Sequence, residues 1–280
     1  MSWKRVVGFV ATTDPIKAYG GVRLAEEALR SMHDQFVRGE VPMNGHHDSL
    51  LPIRTRNLVA SLRPTERGGL GLWLEVDVHE DDWERSGLAR GWSYSAQENL
   101  PPEEWPTPSQ PVVSVTIAAG RFANIDLVAA LQLINREFPV TGSRLFQFSA
   151  LPPARVIVEM GWPVLVALGP NLAASAIWDG LKLLVLRFQV RKDRARESGT
   201  GPVPIDKPIV EFHVAGGDFR ATAAVRTDNP DVLQKAMEAL SDSIKVAAAQ
   251  LPAPVAGNET RPPSVYLGYD DEGQGWTQPH

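Results

Sequence analysis

The chain has no cysteine. That absence excludes disulfides, thiolate nucleophiles and the common zinc–thiolate sites together, and it leaves the cytoplasm as the default compartment. No apolar run is long enough to span a bilayer. The start, MSWKRVVGFVATTD, has a short basic segment but no long apolar stretch and no small-residue cleavage site, so no signal peptide is expected. A global basic field is missing as well. The formal net charge is −5, which argues against a nucleic-acid partner. There is no solenoid-type repeat, no HExxH motif, and no glycine loop with phosphate-binding spacing.

What is present is a 280-residue chain that is 43% hydrophobic and 22% charged, enough for a proper core and, on length, for two domains. Of the eight tryptophans, most are expected to supply core area. KRVVGFVATT reads as a strand, and VRLAEEALRSMHDQFVRG as a helix with Leu24, Ala28, Met32 and Phe36 at every fourth position and Gly39 as its stop. RNLVASLRPTERGGLGLWLEVDV reads as a hairpin, HEDDWERSGLARG as a short helix, GWSYSAQ and VVSVTIAAG as strands, and NIDLVAALQLINREF as helical or partly so.

A second unit begins near residue 152. RVIVEMG and PVLVALG read as strands. NLAASAIWDGLKLLVLRF reads as a helix capped by Asn171, and QVRKDRARESGTGPVP as a charged, flexible excursion. A hairpin turning at Gly216-Gly217 and a last amphipathic helix follow. Strand pairs alternating with helices predict a small open-faced α/β sandwich over 152–250, followed by a flexible tail over 251–280.

Two short polar motifs carry the chemistry. VPMNGHHDSLLPI places His46, His47 and Asp48 beside a glycine. Extended backbone would point His46 and Asp48 the same way, but a catalytic zinc needs a third ligand that no nearby motif supplies, so no metal is assigned. A polar turn, with Asp48 bonding backbone amides, is the plain alternative. Without cysteine, a nucleophile must be a serine or threonine with a base to take its proton. Ser93 in RGWSYSA is such a serine, though spacing alone does not bring it to His47.

The order of these motifs resembles the capsid-maturation (prohead) proteases of tailed phages, which share their fold with the herpesvirus assembly proteases. The sequence runs VVGFVATTD, a helix, HHDSLLPIR, a hairpin, a helix and then GWSYSA. The resemblance covers about residues 5 to 130. It implies a mainly β N-terminal domain over 1–140, giving an α+β chain overall, and a Ser93–His47 pair acting on a protein substrate (the chain itself included) with no cofactor. For a third member the family's glutamate position falls on Asn124, and Asp126, two residues along a strand, would share its facing. Glu75 and Asp77 are other candidates. The sequence departs from the family at Arg54 and Ser95, where glycines are usual. The second half is weakly similar to small α/β adaptor modules of bacterial conflict systems, which implies a domain that recruits a protein partner. A catalytically inactive interaction protein is the alternative reading, and self-association is compatible with either.

Overall fold

The computed structural model describes residues 2–15, 23–39, 43, 53–85, 95–147, 153–198, 207–251, 263–270 and 275–278. They form a mixed α+β protein of two compact units. The first holds residues 1–95 and 147–152, the second residues 96–146 and 153–280. The division therefore falls earlier than the 140–152 boundary read from the sequence, and the strands after the serine motif belong to the second unit.

In the first unit, β1 (Trp3–Thr12), β2 (Thr55–Pro64) and β3 (Leu70–His79) form an antiparallel sheet in the order β1-β3-β2. Strict alternation in β3 sends Leu72, Leu74, Val76 and Val78 inward, where all are fully buried. Trp73, Glu75 and Asp77 consequently point outward. The helix α1 (Glu26–Val37) packs against β2 and β3, burying Leu29 and Phe36. Gly39 stops it, with φ 66° and its N–H donating to Phe36 O at 2.9 Å. A short helix, α2 (Glu80–Arg85), follows β3 directly.

The second unit contains β4 (Ser95–Asn99), β5 (Val113–Ala118), α3 (Asn124–Ile134), β6 (Val140–Gln147), β7 (Arg155–Gly161) and α4 (Trp162–Leu168). A 3₁₀ turn (Gly169–Ala174) leads to α5 (Ala176–Ser198), β8 (Ile209–Ala215), β9 (Arg220–Arg226), α6 (Pro230–Ala248), β10 (Ser264–Asp270) and β11 (Gly275–Thr277). The strands form one eight-stranded sheet in the order β11-β10-β9-β8-β7-β5-β6-β4. Its centre is three parallel pairs, β5/β6, β7/β8 and β9/β10, joined to one another antiparallel. Each parallel pair is connected through helix, as parallel connection requires. The inward residues Val113, Val115, Ile117, Val156, Val158, Val210, Phe212, Ala223 and Val225 share one core with Leu127, Leu131, Leu181, Phe188, Leu233 and Leu240 of the helices. The helices α3, α5 and α6 thus form a single layer on one sheet face.

Three expectations change here. PVLVALG falls in helix α4, not a strand: Pro163 at its first turn presets φ, and only Leu165 of the helix is buried. The charged QVRKDRARES run continues α5 rather than leaving it, because Lys192 pairs with Asp228 at 3.0 Å and Arg191 with Asp126. Nor is the region after 251 all tail. Val265 and Leu267 of β10 are buried beside β9, and the Trp276 indole N–H donates to Ala236 O at 2.9 Å. The Gly216-Gly217 hairpin forms as expected. A Cβ on Gly216 would meet the Phe219 ring at 2.6 Å, so the turn admits no side chain there.

Candidate functional site

His46, His47, Asp48 and Ser93 lie outside the described residues. Their flanks are anchored. Ile53 donates its N–H to Met43 O at 2.9 Å and is buried with Val6, Val76 and Val78. The next residue, Arg54, gives its backbone N–H and its Nε to Asp82 Oδ2, both at 2.9 Å, and a further guanidinium N–H to Asp82 Oδ1 at 3.2 Å. Asp82 is completely buried. Arg54 is therefore the counter-charge of a buried carboxylate on α2. His79 is buried edge-on to Trp3 and sits 3.3 Å from Asp81.

Asp126 is in a helix and not a strand, so the shared facing with Asn124 does not arise. It occupies the third position of α3. Its carboxylate accepts from the Ala123 backbone N–H at 3.2 Å and from the Arg191 guanidinium, with Arg187 at 4.0 Å. A carboxylate there satisfies a free amide and meets the positive end of the helix. Asn124 donates to Glu104 at 2.9 Å. Glu75 and Asp77 lie on the outer face of β3 among Arg5, Arg56 and Arg63.

The densest polar chemistry among the described residues was not singled out from the sequence. On the sheet face of the second unit away from its helices, the strand register aligns Thr141, Ser114, Glu159, His213, Thr222 and Tyr266 in one row across six adjacent strands. At its centre, His213 Nε2 lies 3.2 Å from Glu211 and Nδ1 lies 3.7 Å from Glu159. Burial pushes the His213 pKa down, but the bonds to Glu159 and Glu211 outweigh it and raise it to about 9. The raised pKa favours the imidazolium form at neutral pH, a donor to both carboxylates. His213, against the opposing effect of burial and with help from Ser114, holds the Glu159 carboxyl below its usual range.

Next to this row, Arg155 clasps the buried Glu211 with Nε and a terminal N–H at 2.8 and 2.7 Å. Thr116, Ser143 and Gln97 form a second cluster, with Gln97 donating to Ser143 at 2.7 Å and to Thr116 at 3.1 Å. The sequence did carry a signal. RVIVEMG and IVEFHVA interrupt apolar strands with Arg155 and Glu159, four apart, and Glu211 and His213, two apart, even spacings that mark one face as polar. Ser114 reaches Glu159, a weak base, rather than His213, so the row lacks the serine–histidine order that activates a nucleophile.

The chain matches no protein-family model, no curated protein and no solved structure.

Proposed function

We propose that the chain is a serine peptidase of capsid-maturation type, joined to a C-terminal unit that recruits a protein partner. In this reading His47 takes the proton of Ser93 Oγ, and Ser93 attacks a peptide carbonyl. The proton then passes to the leaving amine, and water releases the acyl group. One observation supports it. The described elements around the two motifs follow the family order: β1, α1, the His–Asp stretch, the β2–β3 hairpin, α2, then the serine stretch. Asp126 already serves the first turn of α3, so the reading rests on the serine–histidine pair. The polar row of the second unit supports recruitment.

A second reading, a non-catalytic interaction protein, is favoured by residues 96–146 joining the eight-stranded sheet, which leaves three named strands in the first unit. A fluorophosphonate probe separates the two. The peptidase reading expects labelling of the full-length protein that disappears in Ser93→Ala and in His47→Gln. Labelling unchanged by Ser93→Ala, or no labelling with or without partner proteins, rejects it.

A further inference from the structure

The outer face of the three-stranded sheet is organised in a way that neither motif requires. Cross-strand register sets Arg5, Asp77 and Arg56 in one row, Val7, Glu75 and Val59 in the next, and Phe9, Trp73 and Ser61 in a third. Arg63 reaches back over the Trp73 ring at 4.8 Å, Arg56 covers the Trp3 ring at 4.3 Å, and Phe9 meets Trp73 edge-on at 5.0 Å. A Cβ on Gly71 would meet the Phe9 ring at 2.5 Å, so glycine there is what lets Phe9 lie against the sheet.

Val7 and Val59 are each 51% exposed and Phe9 37%. The ionic groups are layered. Arg5, Arg56 and Arg63 are 50%, 52% and 45% exposed, whereas Glu75 and Asp77 are only 27% and 14%. The two carboxylates lie beneath three guanidinium groups, and solvent meets cations and apolar side chains. Trp and Arg on an exposed apolar patch are the composition of binding hot spots.

We infer that this face docks an acidic segment of a partner protein, with carboxylates on Arg5, Arg56 and Arg63 and apolar side chains on Val7, Val59 and Phe9. Charge complementarity selects the occupant: a surplus guanidinium on a chain of net charge −5 marks a local site for anions, and guanidinium groups bind carboxylates through paired N–H donors. A nucleic acid fits less well. Arg56 and Arg63 already cover indole faces on which bases would stack, and three cations give little counterion release. The inference is independent of the peptidase reading.

Fluorescence anisotropy tests it with labelled peptides alternating Glu with Leu or Phe, against peptides in which Lys replaces Glu. The acidic peptides are expected to bind the full-length protein, more weakly as salt rises, and the Lys peptides not to bind. Arg56→Glu and Arg63→Glu should each weaken binding by about tenfold or more, while Arg56→Lys keeps most of it. Thermal melting of each variant separates lost docking from lost folding. No binding by any acidic peptide, or equal binding by glutamate variants that melt like wild type, overturns the inference. So does tighter binding of oligothymidylate, or dimerisation of the protein that Arg56→Glu abolishes.

Discussion

Arg155 on β7 reaches diagonally to Glu211 on β8 as a fork on a carboxylate, with Glu211 fully buried. The pair stitches the middle of the eight-stranded sheet on the face opposite the helices. Desolvating two charges offsets most of their attraction, so such a pair matters most when it is broken.

Glu211→Ala should therefore cost about 3–5 kcal/mol, because it strands a buried guanidinium. Replacing both partners, as Arg155→Met with Glu211→Leu, should cost less than the single change. Urea unfolding at constant m-value measures both, and a double variant weaker than Glu211→Ala would contradict the account.

His213 gives a pH signature. Its pKa rises from an ordinary 6.5 to about 9 on folding. The folded state holds the proton more tightly, so the contribution is complete below pH 6.5 and fades as pH climbs through about 9. Wild type should exceed His213→Gln in unfolding free energy at neutral pH, and the gap should narrow on the alkaline side. A gap that stays constant from neutral to alkaline pH would show that His213 acts through packing alone.

Ending the chain after residue 250 removes β10 and β11 and leaves β9 as an edge. Burial of Val265 and Leu267 is lost, and at roughly 1.5–3 kcal/mol for each side chain the penalty is about 3–6 kcal/mol. The new edge also invites pairing between chains. Thermal unfolding and sedimentation velocity should show a lower midpoint and larger species; a truncated protein that melts like the whole chain would count against a structural role for the last strands.

Local pattern was legible where it was strong. The β2–β3 hairpin, β5, β7, α3 and α6 follow from alternation, turn glycines and caps such as Asn229, whose side chain accepts from Asp231 N at 2.9 Å. Errors came where long-range partners decide. The run 163–169 looks like a strand by composition, yet Pro163 and the neighbouring layer make it helical. The 251–280 segment is rich in Pro and Gly, yet two short β-segments in it find an edge to extend. A strand would turn Asp126 to the same side as Asn124; the helix gives it Arg191 instead. The polar row could not be seen as a row, since its alignment depends on the order of six strands that periodicity alone does not provide.

Arg54 has a further consequence. It stands one residue before β2, and its partner Asp82 lies on α2, 28 residues further along the chain. The entry to β2 and the helix are thereby mechanically coupled, so a pull on one is felt by the other. The join is a latch of charge and not of packing alone.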